Sequence, residues 1–213
     1  MGKGEQTRAH VLKVGLDLAS ESGLEALSIG ALAQRASLSK SGLYAHFSSK
    51  EDLQCQVLDA GAQLFVDEVM VPAVAHPRGR PRLEAIQDRW MRWETDVLPG
   101  GCPFISAAAD YDDREGPVRD RAVHHVSRMV AAIEKAASLA VTERHFRADL
   151  DLPLYAFEMW SIILGFHEFA RLLRRADAHA VTARAFASLN DRAAATSPRE
   201  SPDPRRTGGR PRG

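Results

Sequence analysis

The sequence predicts an all-α fold of about nine helices, in which a small N-terminal three-helix head precedes a larger helical body. Apolar residues recur at helical spacing along most of the 213 residues, and no segment alternates as a strand would. Proline and glycine separate the helical segments from one another. The predicted head covers residues 1–50, the body residues 51–195, and a disordered tail rich in Pro, Arg and Gly covers residues 196–213.

Composition narrows the classes of protein that fit this chain. A hydrophobic content of 45% is that of a folded globular protein. No apolar run approaches the roughly 18 residues of a membrane span, and the first residues lack the apolar core of a secretory signal. The cytoplasm is therefore the expected location, with no membrane partner. Cys55 and Cys102 alone predict neither a disulfide framework nor a zinc site.

The predicted head consists of three helices joined by short turns. The first helix covers residues 6–22, and Gly23 ends it because glycine takes the left-handed conformation without a Cβ clash. Two short helices follow at residues 28–35 and 39–46, and each begins with a serine N-cap. The three residues 36–38 between them form a tight turn, so the pair has the geometry of a helix-turn-helix.

A long helix connects the predicted head to the body. Ser48 and Glu51 have the spacing of a capping box, and the helix that they open extends to about Val71. Beyond it, prolines and glycines separate five further predicted helices. These cover residues 83–97, 104–111, 117–140, 152–173 and 178–195.

The second helix of the helix-turn-helix has a small, polar outer face, as entry into a DNA major groove requires. Net charge is zero over the whole chain, but residues 1–50 carry six basic against four acidic residues. Lys50 lies in the first turn of the long helix, where the backbone amides already favour a phosphate. The predicted DNA-binding residues on these two helices are Ser39, Lys40, Ser41, Gly42, Tyr44, His46 and Lys50.

Residues 28–53, SIGALAQRASLSKSGLYAHFSSKEDL, closely resemble the DNA-binding segment of the TetR family of regulators. The family pattern reads roughly T-V-x-x-I-A-x-x-A-G-V-S-x-G-x-L-Y-x-H-F-x-S-K-E-x-L, and the match spans about residues 7–58. Ser37 replaces the usual turn glycine, and Ser41-Gly42 inverts the usual Gly-Ser/Thr order. The resemblance implies a three-helix DNA-binding head, nine helices in all and a divergent ligand-binding and dimerisation body.

The resemblance also implies which residues contact DNA. They are Ser28, Lys40, Tyr44, His46 and Lys50. Three of the predicted contacts have a structural alternative: Tyr44 as a helix-packing residue, His46 as a solvated side chain and Ser39 as a cap alone.

The predicted helix at residues 152–173 is apolar nearly all round, so it must be covered on more than one side. In the TetR family the last two helices form a four-helix dimer interface, which implies a homodimer on a palindromic operator with half-sites about 34–36 Å apart. A large monomeric core is the alternative. The predicted interface residues are Leu164, His167, Arg171, Val181, Ala185, Phe186 and Leu189.

Most aromatic residues lie in the predicted body, where an apolar pocket with a few polar groups is the expected site of a small-molecule effector. The alternative for each aromatic or histidine side chain is plain core. Cys102, in a Gly-Gly-Cys-Pro loop, is either an oxidation sensor, if exposed and electropositive, or part of a structural turn. The predicted pocket residues are Trp90, Trp93, Phe104, Tyr111, His125, Met129, Phe157 and Trp160.

Together these features predict a ligand-responsive DNA-binding regulator, a repressor that a small apolar or amphipathic molecule releases from its operator. The alternative is a DNA-binding regulator without a small ligand, controlled by a protein partner or constitutive. An enzyme is not expected, because His167-Glu168-Phe169-Ala170-Arg171 lacks the second histidine of a zinc-protease motif and no phosphate-binding loop is present. No cofactor or metal is expected. The basic tail is either a solvated end or a source of salt-dependent attraction to DNA.

Overall fold

The computed structural model describes residues 2–195, and within this range it contains nine helices and no strand, which confirms the predicted all-α fold. The predicted tail, residues 196–213, lies outside the described residues. None of the helices in the described range combines the length and apolarity that a membrane crossing requires. The helices are α1 (Lys3–Ser22), α2 (Ile29–Arg35), α3 (Lys40–Tyr44), α4 (Lys50–Phe65, continued by Val66–Met70 and Val71–Val74), α5 (Arg80–Arg92, continued by Trp93–Val97), α6 (Pro103–Tyr111), α7 (Pro117–Thr142), α8 (Leu152–His167, continued by Glu168–Leu172) and α9 (Ala178–Ala193).

The helix-turn-helix has the predicted serine caps. Ser28 Oγ accepts a hydrogen bond from the amide of Ala31 at 3.1 Å, and Ser39 Oγ accepts one from the amide of Gly42 at 3.1 Å. Ser37, in the turn, has a φ of 56°, the left-handed conformation for which a glycine is the usual residue. Helix α3 ends at Tyr44, earlier than the predicted end near His46.

The predicted capping box at the start of α4 is wrong by one residue. Ser49 is the N-cap, and its side chain accepts a hydrogen bond from the amide of Asp52 at 3.0 Å. Asp52, not Glu51, occupies the third helical position, and its carboxylate accepts a hydrogen bond from the amide of Ser48 at 2.8 Å. A carboxylate in the first turn suits the positive end of the helix dipole. The helix also runs further than predicted, to Val74.

Helix α4 is the element that head and body share. Small residues let it pack closely: a Cβ on Gly15 of α1 would lie 2.9 Å from Val57 Cγ2, and one on Gly61 would lie 3.1 Å from Leu16 Cδ1. Buried apolar residues of head and body consequently form one continuous cluster. The boundary near residue 50 stays a prediction, since α4 crosses from one part into the other.

A buried polar network joins three helices of the body. Asn190 of α9 exchanges hydrogen bonds with Gln87 of α5, at 2.9 and 3.2 Å between side-chain atoms. The hydroxyl of Tyr155 on α8 donates to Asn190 Oδ1 at 2.6 Å. Satisfied polar groups in a dry core define one arrangement, because a shifted helix would leave them without partners. Helices α5, α8 and α9 are therefore held in a fixed register.

The loop between α5 and α6 rests directly on the end of α1. The amide of Gly100 donates to Ser20 Oγ at 3.1 Å, and a Cβ on Gly100 would lie 1.7 Å from the carbonyl oxygen of Ser20. Arg171 of α8 secures the same loop, since its guanidinium donates to the carbonyl oxygen of Pro99 at 2.6 Å. The body thus contacts the head through backbone as well as through side chains.

We expect Gly100→Ala to destabilise the protein by about 1–3 kcal/mol or more, because the new methyl group would overlap the rigid backbone of Ser20. Urea unfolding measures the loss. Gly30→Ala in α2 is the control: its Cβ would meet Lys40 Cε at 3.7 Å, an ordinary contact, and its unfolding free energy should stay the same or rise slightly. Equal stability of the two variants would contradict the close head–body contact.

Candidate nucleic-acid interface and effector cavity

The outer face of α3 is exposed and polar. Lys40, Ser41 and Gly42 are exposed, and 61% of Tyr44 is accessible. Leu43, on the inner face, is fully buried in the core of the head. The structure therefore places Tyr44 with the polar groups of the outer face and not among the packing residues, and this helix is free to approach a DNA groove.

The side chains of Ser28, Ser39 and His46, the remaining predicted DNA contacts in the helix-turn-helix, are engaged within the protein or partly buried. Ser28 and Ser39 use their hydroxyls as N-caps, and Ser39 Oγ also lies 3.1 Å from Ser41 Oγ. His46 is half-buried, with its ring edge-on to Phe47 at a centroid distance of 6.3 Å. The two serines therefore have a structural role in the described conformation.

Lys50 lies at the start of α4, as predicted, but its ammonium group is already bound. Its Nζ donates to the backbone carbonyl of Glu25 at 2.9 Å and to Glu25 Oε1 at 3.1 Å. Both side chains are more than two-fifths exposed, so the pair is open to solvent and to a competing anion. A phosphate that approaches Lys50 therefore competes with the Glu25 carboxylate.

Glu25 also binds the body. Its Oε2 accepts hydrogen bonds from the Tyr111 hydroxyl at 2.7 Å and from Arg114 Nη1 at 3.2 Å, while its amide donates to Asp110 Oδ2 at 3.2 Å. The hydrogen bond from Tyr111, followed by that from Lys50, lowers the pKa of Glu25, which therefore stays ionised near neutral pH. We call Glu25, Lys50, Tyr111 and Arg114 the Glu25 cluster. It joins the start of α4 to the end of α6.

A cavity of about 420 Å³ lies between α4 and α7, and we call it the α4–α7 cavity. Its walls combine apolar side chains with a few polar groups, the composition of a small-molecule site. The cavity begins about 14 Å along α4 from Lys50, because its lining residue Asp59 follows Lys50 by nine residues on the same helix. The lining residues are Asp59, Ala62, Gln63, Phe65, Val66, Met70, His125, Arg128, Met129 and Ala132.

Asp59 connects the two helices at the edge of this cavity. One carboxylate oxygen accepts a hydrogen bond from the Arg121 guanidinium, and the other lies 2.7 Å from His125 Nε2. Burial raises the pKa of Asp59, but the hydrogen bonds from Arg121 and His125 outweigh it and lower the pKa overall. Burial lowers the pKa of His125, so the neutral ring donates its Nε2–H to the carboxylate near neutral pH. Asp59 thus ties α4 to α7.

The structure brings only part of the predicted pocket together. His125 and Met129 line the α4–α7 cavity. Trp90 and Trp93 lie one layer deeper, with ring centroids 4.7 and 5.4 Å from that of Phe65, and Trp160 packs behind Trp90. Trp90 and Trp93 are therefore core residues that support a cavity wall, and Trp160 is a partly buried residue behind them.

The other predicted pocket residues lie elsewhere. Phe104 and Tyr111 line a separate apolar groove of about 240 Å³ between α6 and α7. Phe157 is 66% exposed on α8, so the structure corrects its predicted place in a pocket. Helix α8 is apolar all round, and sequence alone does not tell which of its faces points inward.

The predicted dimer residues also divide into two groups. Leu164 is 37% exposed on α8, and Val181 and Ala185 lie half-buried on the neighbouring face of α9. Phe186 and Leu189 are 3% and 2% exposed, so they belong to the core of the chain itself. The structure thus corrects their predicted place in a dimer interface.

The structure also corrects the prediction that His167 and Arg171 lie in a dimer interface, because both side chains face inward. His167 Nδ1 lies 2.8 Å from Glu94 Oε2, and Arg171 donates to the backbone of the α5–α6 loop. Glu94 is completely buried and also accepts a hydrogen bond from the amide of Cys102 at 3.3 Å. His167 and Arg171 therefore mark the contact of α8 with α5 and the loop that follows it.

Cys102 does not meet the conditions for an oxidation sensor. Its side chain is 1% exposed, and burial, followed by the charge of Glu94, raises its pKa far above the ordinary thiol value. A thiol without thiolate character is unreactive. Its loop is a structural turn, the alternative that the sequence left open. Among residues 2–195, no group of three or more His, Cys, Asp or Glu side chains has the arrangement of a metal site.

Sequence reasoning missed Glu25, Asp59 and Arg128. Arg121, His125 and Arg128 recur at spacings of four and three residues along α7, so they share one face of that helix. That spacing is a readable signal of a polar strip along one face of the helix. Glu25 gave no comparable signal, because it lies in a loop and binds residues far away in the chain.

Comparisons with known proteins match both parts of the chain. Residues 11–54 match the family model described as "Bacterial regulatory proteins, tetR family", and residues 79–186 match that described as "Tetracyclin repressor-like, C-terminal domain". The HTH-type transcriptional regulator AcrR of Shigella flexneri is 34% identical over 55 residues, which are 26% of this chain and 26% of AcrR. The match therefore spans about a quarter of that relative's length.

Solved structures show the same fold over nearly the whole chain. A TetR-family regulator from Cytophaga hutchinsonii superimposes with a TM-score of 0.80 at 17% identity, covering 92% of this chain and 99% of its own. AibR, in complex with isovaleryl coenzyme A and operator DNA, gives a TM-score of 0.62 at 23% identity, covering 76% and 86%. Together with the two family models, which cover the helix-turn-helix and most of the body, this shows that the chain belongs to the TetR family of transcriptional regulators.

Proposed function

We propose that this regulator is a ligand-responsive repressor: a cytoplasmic homodimer that binds a palindromic operator and leaves it when a small apolar or amphipathic molecule binds the body. The observation that carries this proposal is the position of α4. The same helix carries Lys50 in its first turn, directly after the helix-turn-helix in the chain, and forms one wall of the α4–α7 cavity. A ligand that displaces this wall would move Lys50 and α3 in the head.

Coupling requires that the ligand distinguish two arrangements of α4, since a ligand with equal affinity for both shifts nothing. The Asp59 carboxylate ties α4 to α7 at the cavity, and the Glu25 cluster ties the start of α4 to α6. A ligand between α4 and α7 would disturb the first of these connections. Coupling of about 1–3 kcal/mol would weaken operator binding roughly 5- to 150-fold. AibR, which shares the fold, has been solved with both isovaleryl coenzyme A and operator DNA.

The exposed apolar face of α8 and α9 supports the homodimer. Leu154, Phe157, Leu164 and Leu172 on α8 are 53%, 66%, 37% and 73% exposed. A shallow groove beside Phe157 continues this face onto Ala185 of α9. Two helices from each copy would cover it as a four-helix interface around a twofold axis.

Selection of genomic fragments by the full-length protein tests the central proposal. We expect enrichment of a palindrome whose half-site centres lie about 34–36 Å apart along the duplex. Each recognition helix of the twofold assembly would occupy one half-site. The absence of any preference over bulk competitor DNA in low salt would contradict DNA regulation. Binding that no small molecule relieves would instead favour a regulator without a ligand.

The competition at Lys50 gives a second prediction. We expect Lys50→Ala to weaken operator binding and to reduce the slope of log affinity against log salt by about one phosphate contact. Glu25→Gln should strengthen binding about two- to fivefold, because it removes an exposed ion partner that competes with phosphate. Fluorescence anisotropy over a range of salt concentrations measures both effects.

A double-mutant cycle separates this competition from a general change of charge. Glu25→Gln should have little effect when Lys50 is already alanine, whereas Glu51→Gln, the control, should act equally in both backgrounds. Glu51 is exposed in the first turn of α4. Additive effects of Glu25→Gln and Lys50→Ala would show that Glu25 does not restrain Lys50.

The oligomeric state gives a third prediction. We expect Leu164→Glu to convert the protein to a monomer, because it would place two carboxylates in an apolar twofold interface. Sedimentation velocity measures the change, and operator affinity should fall with it. Val123→Glu on α7 is the matched control, since Val123 is 47% exposed in the groove between α6 and α7. A Leu164→Glu protein that sediments like the wild type would exclude this face as the interface.

A further inference from the structure

The lining of the α4–α7 cavity carries one acidic and one basic side chain, and of these two only the acidic one has an ion-pair partner in the described part of the chain. Asp59 is the acidic group of the lining, and both of its oxygens are occupied by Arg121 and His125. Arg128 is the basic group, and it makes no ion pair with any residue of the described range 2–195. The guanidinium of Arg128 is therefore the charge that a bound molecule meets without a competing partner.

The other polar groups on the walls do not offset this positive charge. Arg121, His125 and Arg128 lie on one face of α7, toward α4. On the α4 wall, Gln63 Nε2 donates to Asp67 Oδ1 at 3.0 Å, so this amide is engaged along its own helix. A cationic ligand would face the basic side of α7 and find no free carboxylate in the lining. An anionic group would find a guanidinium ready to donate two hydrogen bonds.

The rest of the cavity suits an apolar chain. Phe65, Val66 and Met70 come from α4 and Met129 from α7. Methionine side chains adapt their shape to a ligand at low cost. Behind Phe65 lie Trp90 and Trp93, so the apolar wall is deep and rigid on that side.

We propose that the effector is an amphipathic organic anion, with a carboxylate or similar acidic group at Arg128 and an apolar chain against Phe65, Met70 and Met129. This inference rests on the proposed function, because it identifies the class of molecule that the cavity takes. The acidic group lies at the exposed rim beside Arg128, and the chain replaces water along the walls of the cavity. The chain supplies most of the affinity and the anion supplies the selectivity.

Three probes with alkyl chains of seven or eight carbons and different head groups test the charge preference: octanoate, 1-octanol and octyltrimethylammonium. Calorimetry with the full-length protein at pH 8 gives their affinities, and tryptophan fluorescence reports contact with the wall in front of Trp90 and Trp93. We expect octanoate to bind more tightly than the other two. Equal or tighter binding of octanol or of the cation would overturn the proposal, and so would failure of octanoate to bind.

Two variants test whether Arg128 is the source of the preference for an anionic head group. Arg128→Gln should weaken octanoate binding about two- to fivefold, the range expected for a solvent-exposed ion pair, and leave octanol binding unchanged. Lys135→Gln is the matched control, because Lys135 is an exposed cation on the same helix outside the cavity lining. Equal losses in the two variants, or no loss in Arg128→Gln, would overturn the assignment to Arg128.

Operator release, measured by anisotropy in the same samples, separates this inference from the proposed function. Octanoate that binds through Arg128 without releasing the operator would support the anion site and contradict ligand-responsive repression. Release by the cationic probe instead would overturn the anion site and leave ligand-responsive repression standing. Release by octanoate that Arg128→Gln weakens would support both.

Discussion

Close packing of α1 against α4 is the constraint on which the rest of the molecule depends. Gly15 allows Val57 to approach α1, and Gly61 gives room to Leu16. A side chain at either glycine would force Val57 or Leu16 to shift, because protein cores have little spare volume. Helix α4 is therefore a rigid part of the head at its start and a wall of the body further on. A change in the tilt of α4 would therefore alter contacts in both the head and the body.

Two carboxylates hold this helix. Glu25 binds Lys50 at its start and Tyr111 in the body, whereas Asp59 binds α7 beside the cavity. Each carboxylate joins groups from different helices, and each has a pKa below its usual value, so both are charged under ordinary conditions. Partly exposed ion pairs are weak enough to exchange partners. In the absence of ligand and DNA, α4 is thus held by contacts of Glu25 and Asp59 that a ligand or a phosphate can replace.

Local structure was predictable from the sequence, whereas the orientation of side chains was not. The caps at Ser28 and Ser39 depend on neighbouring residues, and the structure confirms both. The direction in which Phe157 and Phe186 point depends on which face of an apolar helix is covered, and periodicity carries no such information. The partner of Lys50 is likewise a loop residue twenty-five positions away. Long-range pairing of polar groups is settled only when the helices assemble.

The contact between Gly100 and the backbone of Ser20 has a consequence for protein engineering. Regulators with a separate head and body are candidates for chimeras in which the DNA-binding head of one protein is fused to the ligand-binding body of another. Here the seam between the two parts is a backbone-to-backbone contact that tolerates no added atom. A graft would have to carry the end of α1 together with the α5–α6 loop, since a side chain in place of Gly100 would overlap the backbone of Ser20 and displace the end of α1.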